Sequence, residues 1–381
     1  MIVKIPQPGI SYKITVGHGL LPSVGEMIAS TAATPPRKAA LVTNRRVYGL
    51  YGDIVEAGVK AAGIDIFPVL IPDGEKGKSF RVLQAVLNSF SEHSISRTDA
   101  VIALGGGVVG DLAGVAASLH LRGVPYYQVP TTLLAMIDSS VGGKTGINSP
   151  YGKNLIGSFY QPNAVIADIG ALATLPKREI TAGFMEAVKQ AALSGTPMLE
   201  RTAELSEHYR KLGREMFNDN VLSVPATDLI LENIRFKTSV VRSDERESVV
   251  ETGSRSRKTL NFGHTYGHAL EKATQYRYLK HGEAVGWGLL FAATLSKKLE
   301  FLASDELNLL NDVVRGFGRL PDISNIPINS ILDSVLHDKK VIDGDIQWIL
   351  LNGIGKPVIV SGRQVPGKML EQTHRQITAS R

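Results

Sequence analysis

Asp99-Ala-Val-Ile-Ala-Leu104-Gly105-Gly106-Gly107-Val108-Val109-Gly110-Asp111-Leu112-Ala113-Gly114-Val115-Ala116 changes character within a few residues. An apolar run with β-branched members, Asp99–Leu104, reads as a buried strand. Glycines follow, and then a small-residue helical pattern. Such a strand–turn–helix lets the backbone approach a ligand closely and offers it the free N–H groups of a new helix. Working outward, Tyr12, Ile14 and Val16 alternate at period two, and Ala39–Thr43, Ile64–Leu70, Tyr126–Val129 and Ala164–Ala167 read as further buried strands. Phe80, Val82, Leu83, Val86, Leu87 and Phe90 share one helical face. Strands alternating with helices predict βαβ units and a mostly parallel sheet, an α/β domain. After about Leu175 helical patterns take over, at Ile180–Leu193, Asp228–Val241, Gly282–Leu299 and Leu307–Val314, with a strand signal only at Trp348–Leu351. A boundary near Pro176 therefore predicts two domains, 1–176 and 177–381, the second mainly helical.

The 381 residues and 41.0 kDa suit two domains better than one. With 43% hydrophobic and 20% charged residues, the composition excludes a disordered or fibrous chain. The longest apolar stretch, Ala284–Leu295, is broken by glycines and too short for a membrane span. The start, MIVKIPQPGISYK, lacks the pattern of a secretory signal. There is no cysteine, so any metal must rest on His, Asp and Glu. The expectation is a cytoplasmic protein with no membrane association. The formal charge of +6 comes from dispersed basic residues, only paired at Arg37–Lys38, Arg45–Arg46 and Lys297–Lys298. That argues against a nucleic-acid groove and leaves two readings: a mildly basic surface, or cations converging on a small anion.

Three groups of residues could carry chemistry. The glycine run satisfies G-x-G-x-x-G, but lacks the acidic residue some twenty positions on and does not follow the first strand. It is not the standard dinucleotide fingerprint, and a tight strand-to-helix turn explains it as well. Next, Thr131-Thr132, Asp138-Ser139-Ser140-Val141-Gly142-Gly143-Lys144 and Lys153-Asn154 combine glycine-rich turns with lysines, which suits a phosphate or carboxylate. The spacing is not that of a Walker loop. Third, Asn261-Phe262-Gly263-His264-Thr265-Tyr266-Gly267-His268 precedes His281-Gly282-Glu283, so three of nine histidines fall close together. His264 and His268, at i and i+4, share a helix face and could chelate a metal. Glu186, Asp244 or Glu283 could supply a carboxylate; spacing does not choose between them.

Together these residues resemble the 3-dehydroquinate synthase family. GGGVVGDLAG, QVPTTLLAMIDSSVGGKTGIN, KNLIG, the Leu175-Pro176-x-Arg178-Glu179 run, NFGHTYGH and HGEAV stand in family order and at family spacing along nearly the whole chain. The resemblance implies an N-terminal NAD-binding α/β domain and a C-terminal helical metal-binding domain. It also implies a homodimer and a zinc- or cobalt-assisted conversion of 3-deoxy-D-arabino-heptulosonate 7-phosphate to 3-dehydroquinate. In that reaction NAD transiently oxidises a ring carbinol and phosphate is eliminated. The hydride then returns, the ring opens, and an aldol step closes the carbocycle.

The resemblance assigns the metal to Glu186, His264 and His281 and turns His268 toward substrate. For NAD it implies Asn44, the loop Asp73, Gly74, Glu75, Lys76, Gly77 and Lys78, and the turn Gly106, Gly107, Val108, Val109, Gly110 and Asp111. Thr131, Thr132, Lys144, Lys153, Ala171, Leu172, Ala173 and Thr174 complete that set. For the sugar-acid phosphate it implies Asp138, Lys144, Lys153, Asn154, Lys189, Lys237, Arg257, Asn261, His268 and Lys339 or Lys340, with Arg122 reaching a neighbouring subunit's active site. Phosphate would be gripped by Lys144, Lys153, Asn154, Arg257 and Arg122. Lys189, Lys237 and Asn261 would orient carboxylate and hydroxyls, and Asp138 and His268 would handle protons. The chain departs from the pattern in a polar insertion at Ser248–Ser256, which puts Arg255 beside Arg257 as a phosphate arginine, and at Gln190 and Gly77. Another sugar phosphate cyclase of inosose or valiolone type, a metal-dependent polyol dehydrogenase, and a dinucleotide-binding module without catalysis are the alternatives. The family-type Leu260-Asn261 and His268 speak against the first. Lys144, Lys153 and Asn154, which a dehydrogenase would not need, speak against the second, and the retained metal positions against the third.

Overall fold

Strands β3 (Lys38–Asn44), β5 (Ala100–Gly105), β6 (Tyr126–Pro130) and β9 (Ala164–Asp168) are buried along essentially their whole length. Strands covered on both faces read as unbroken apolar runs, which is why they stand out in the sequence. This computed structural model describes residues 2–7, 10–244, 256–336, 341–342 and 345–379. Among them, one seven-stranded sheet has the order β1-β2-β9-β6-β5-β3-β4, where β1 is Ile2–Gln7, β2 Ile10–Gly17 and β4 Asp65–Ile71. All neighbours are parallel except β1 with β2. Pro68 sits in β4, at the sheet edge, where a missing N–H costs no ladder bond.

Helices α1 (Val24–Thr31), α2 (Arg45–Ala61), α3 (Phe80–Glu92) and α4 (Gly107–Leu119) belong to the same part of the chain. Leu83, Val86 and Phe90 of α3 join Val42, Leu112, Ala116 and Tyr126 in one apolar cluster. Truncating a buried residue such as Phe90 to alanine costs about 3–5 kcal/mol. Phe80 departs from the expected face and is 60% exposed, because it is the first residue of α3, directly after the Ser79 cap. The glycine–lysine region read as turns forms an antiparallel hairpin, β7 (Lys144–Ser149) with β8 (Gly152–Phe159). It packs against α4 so closely that a Cβ on Gly114 would lie 2.4 Å from Thr145 Cγ2.

The chain divides into two compact units, Met1–Leu175 with Phe217–Thr238, and Pro176–Met216 with Ser239–Arg381. The second contains α5 (Lys177–Ser194), α6 (Thr196–Leu212), α8 (His264–Ala273), α9 (His281–Lys298), α10 (Ser304–Gly316), α11 (Ile328–Leu336) and α12 (Gly367–Ala379). Helix α7 (Val224–Ser243) is divided between the units after Thr238. A small antiparallel sheet, β10 (Val341–Ile342), β11 (Asp345–Leu351) and β12 (Pro357–Ser361), extends the single strand expected there. Ile180–Leu193 of α5 and Gly282–Ser296 of α9 are buried all round, as central helices must be. No described helix is long and apolar enough to cross a membrane.

Candidate active site and metal centre

In the first unit the topology gathers the residues. The chain runs from β3 outward to β4 and then returns to the other side of β3 as β5, so the strand order reverses between β3 and β5. Ligand crevices of parallel sheets open at the carboxyl ends of strands flanking such a point. Asn44 ends β3, and its Nδ2 donates to Asp73 Oδ1 (3.2 Å) in the loop after β4. Gly106–Asp111 follow β5, Thr131 and Thr132 follow β6, and Ala171–Thr174 lie in a 3₁₀ segment after β9. All of these occupy one edge of the sheet. There the amino terminus of α4 points its unbonded N–H groups outward, which suits a pyrophosphate. A Cβ on Gly106 would come within 3.1 Å of Thr132 Cγ2, and one on Gly77 within 2.9 Å of Pro72 O. The donor set and the close backbone approach fit a dinucleotide.

Lys78 joins that edge to the β7–β8 hairpin. Its ammonium, on a residue only 4% exposed, bonds Asp111 Oδ2 at 2.5 Å and also Asn154 Oδ1. Asn148 adds N to Lys78 O (2.9 Å) and Nδ2 to Glu75 Oε2 (2.6 Å), and accepts from Asn154 N (3.0 Å). Asn154 has a left-handed φ of 53°. These bonds tie the backbone between Lys153 and Leu155 to the Asp73–Lys78 loop. Lys144 is exposed at the start of β7. On α7, Lys237 pairs with Asp138 Oδ1 (2.9 Å) and also bonds the Asp138 carbonyl. Arg122 lies elsewhere, between α4 and β6, at the amino edge of the sheet opposite the loops just described. Its φ is 65° and that of Leu121 is 51°, a strained turn for two residues with side chains.

In the second unit, α5, α8 and α9 bring Glu186, His264 and His281 together. Gly282 makes this possible: a Cβ there would fall 2.0 Å from the Ala182 carbonyl oxygen, so only glycine lets the first turn of α9 lie on α5. Glu186 Oε1 stands 3.3 Å from His264 Nε2 and 3.5 Å from His281 Nε2. Ligands on metal–ligand bonds of about 2.0–2.1 Å, set at tetrahedral angles, are about 3.3–3.4 Å apart. The two distances from Glu186 are therefore close to the edges of a divalent-cation site. Ring-nitrogen atoms of His264, His268 and His281 also lie within 4.8 Å of one another, so among the described residues His268 is as close to the other two imidazoles as a third ligand would be.

The other two candidate carboxylates are engaged by other partners. Glu283 receives both nitrogens of the Arg178 fork at 2.6 Å and the Lys280 N–H at 2.8 Å. Asp244 accepts from the Arg257 N–H at 3.1 Å. Glu186 alone of the three faces the imidazoles, and it also pairs with Lys189 at 2.6 Å. Burial works to raise the Glu186 carboxyl, but the Lys189 ammonium and His264 outweigh it and hold it well below the usual range. Burial likewise opposes charge on His281, yet hydrogen bonds to Glu186 and Glu271 push it up to about 10.

Arg257, 3% exposed, and Asn261 begin and end a 3₁₀ segment that leads into α8. Lys339, Lys340 and Arg255 lie outside the described residues, as does the 248–256 insertion except Ser256. Two features escaped the sequence reading. Arg178–Glu283 and Glu179–Lys280 (2.7 Å) brace the start of α5 against the start of α9. Glu271 bonds His281; its i+7 spacing from His264, on the same face of α8, was the available signal.

Residues 68–182 match the family model described as 3-dehydroquinate synthase N-terminal, and residues 183–341 the one described as 3-dehydroquinate synthase C-terminal. A 3-dehydroquinate synthase of Rippkaea orientalis is 36% identical over 381 residues, covering 98% of this chain and 100% of that protein. The chain belongs to the 3-dehydroquinate synthase family. Two solved structures share its fold at 25% identity and TM-score 0.81, each covering 99% of both chains. One is 2-deoxy-scyllo-inosose synthase complexed with carbaglucose-6-phosphate, NAD⁺ and Co²⁺. The other is 2-epi-5-epi-valiolone synthase of Streptomyces hygroscopicus with NAD⁺ and Zn²⁺ bound. As a 3-dehydroquinate synthase family member, the chain has the expected α/β plus helical architecture and is an enzyme of that family.

Proposed function

We propose that this chain converts 3-deoxy-D-arabino-heptulosonate 7-phosphate into 3-dehydroquinate and inorganic phosphate. The observation that carries this reading is the relationship, at 36% identity, to a 3-dehydroquinate synthase along 98% of this chain and 100% of that protein. NAD belongs to the 1–176 domain, at Asn44, Asp73–Lys78, Gly106–Asp111, Thr131, Thr132, Lys144, Lys153 and Ala171–Thr174. The metal belongs to the 177–381 domain, at Glu186, His264 and His281. When bound, the nicotinamide supplies a reversible hydride acceptor, and the divalent cation Lewis acidity toward a carbinol or ketone oxygen.

The chain's own side chains hold the substrate and move protons. Lys144, Lys153, Asn154 and Arg257 grip the phosphate, the lysines as point charges and the arginine as a planar fork. Lys189, Lys237 and Asn261 orient the carboxylate and hydroxyls, with Lys339 or Lys340 assisting. Asp138 and His268 accept and return protons. Holding one flexible intermediate in a reactive geometry contributes up to about 7–11 kcal/mol to such a reaction. The working form is a cytoplasmic homodimer in which Arg122 completes the neighbour's phosphate site. The position of Arg122 at the amino edge of its own sheet supports that role.

The test is phosphate release from 3-deoxy-D-arabino-heptulosonate 7-phosphate with the carbocyclic product identified by NMR, before and after chelation. Stoichiometric release without growth of NADH absorbance, abolished by chelator, is expected. Accumulating NADH would indicate a dehydrogenase, and turnover of a different phosphosugar another cyclase.

A further inference from the structure

The two imidazoles that face Glu186 are held in the same manner. His264 Nδ1 lies 3.2 Å from the Phe262 carbonyl, and His281 Nδ1 lies 3.0 Å from Glu271 Oε2. A carbonyl and a carboxylate can only accept, so each ring keeps a proton on Nδ1, and Nε2 is the nitrogen that can become a ligand when a metal displaces any proton it shares with Glu186. Those Nε2 atoms are the ones 3.3 and 3.5 Å from Glu186 Oε1. The partners differ in charge, and so do the settings. The His264 side chain is 10% exposed and sits inside the helix cluster. The His281 side chain is 37% exposed and opens α9, just after a connection with left-handed residues at Gln275 and Tyr276. Packing constrains the second ring less, and it is the second ring that has a carboxylate.

We propose that Glu271 is a positioning residue of the metal centre: it fixes the orientation and tautomer of His281 and strengthens Nε2 as a ligand. A simple brace between α8 and α9 would be served by a neutral side chain. Glu271 is instead a carboxylate only 4% exposed, an arrangement that costs desolvation energy and is repaid when its charge acts on a nearby cation. The inference rests on the ligand set Glu186, His264 and His281.

The experiment uses the full chain, stripped of metal, as wild type, Glu271→Ala, Glu271→Gln and Glu186→Gln. Zinc affinity is read by competition with a chromophoric chelator, the ligand field by the visible spectrum of the Co²⁺ form, and folding by far-UV circular dichroism. Glu271→Ala is expected to weaken zinc binding about 10–100-fold and to shift the Co²⁺ bands. Glu271→Gln, which keeps an acceptor oxygen but no charge, should fall between it and wild type. Wild-type zinc affinity with an unchanged Co²⁺ spectrum in Glu271→Ala overturns the proposal. If the alanine variant does not fold, an unchanged affinity in the near-isosteric Glu271→Gln overturns it. Undiminished zinc binding by Glu186→Gln refutes the ligand set itself, a separate failure from that of Glu271.

Discussion

Lys78 illustrates how one side chain can carry two duties. Its buried ammonium reaches Asp111 at the start of α4 and Asn154 on the hairpin, two segments assigned to cofactor and to phosphate. Lys78→Met keeps most of the volume but leaves the Asp111 carboxylate without its partner. Removing one member of a buried pair costs up to about 3–5 kcal/mol, reduced here because the Asp111 side chain is 20% exposed. The expected outcome is a lower midpoint in urea and weaker binding of both NAD and the sugar phosphate, measured separately by calorimetry. Loss of NAD binding alone would place Lys78 with the cofactor only. Its role was legible in part: the DGEKGKS loop marks it, but the partner Asn154 lies on a hairpin whose pairing is not local.

Between elements, the Leu175-Pro176-x-Arg178-Glu179 run acts as a brace rather than as a ligand. Arg178 and Glu179 hold Glu283 and Lys280, on either side of His281. Arg178→Ala removes a bidentate contact from a Glu283 side chain that is 2% exposed, while the Lys280 N–H still caps it. A loss of about 1–3 kcal/mol in unfolding free energy is expected, with a lowered zinc affinity because the Glu186–His281 spacing loosens. Unchanged zinc affinity would separate the brace from the metal centre. A second inter-helix contact sets a pH response. Tyr266 of α8 stacks on Phe291 at 4.1 Å and bonds His374 Nδ1 of α12 at 2.6 Å. Burial, helped by Arg375, depresses the His374 pKa below 6.5. The folded state therefore takes up this proton less readily than the unfolded chain. Stability from the neutral ring is present above about pH 6.5 and is lost as pH falls toward the depressed value. Thermal unfolding of the zinc-loaded protein should show a shallower acid slope for His374→Gln than for wild type.

For the whole molecule, the location of Arg122 turns a residue assignment into a statement about assembly. Arg122→Ala and Glu186→Gln should each be inactive alone. If Arg122 serves the neighbouring active site of a dimer, subunit exchange between them creates mixed dimers with one intact site. Random pairing should then restore about a quarter of wild-type activity. No recovery after verified exchange would assign Arg122 to its own chain.

The amino-acid sequence alone determined where the strands β3, β5, β6 and β9 buried on both faces lie, where α/β alternation yields to helices, and to which family the motifs belong. These features are written in neighbouring residues, as runs, periods and spacings that need no knowledge of the rest of the chain. The sequence misread Ile64–Leu70 as buried, since β4 is the sheet edge and alternates between buried and exposed residues. Spacing left Glu186, Asp244 and Glu283 open, and the family resemblance pointed to Glu186. The tertiary structure shows the Glu186 carboxylate 3.3 Å from His264 Nε2, while Glu283 holds Arg178 and Asp244 accepts from the Arg257 N–H. It likewise decided that the lysine-bearing turns are a hairpin lying on α4, that Glu271 orients toward His281, and that Arg122 stands at the far edge of its sheet. Each depends on packing between segments distant along the chain, where a missing Cβ, as at Gly282 or Gly114, fixes the approach of one backbone to another.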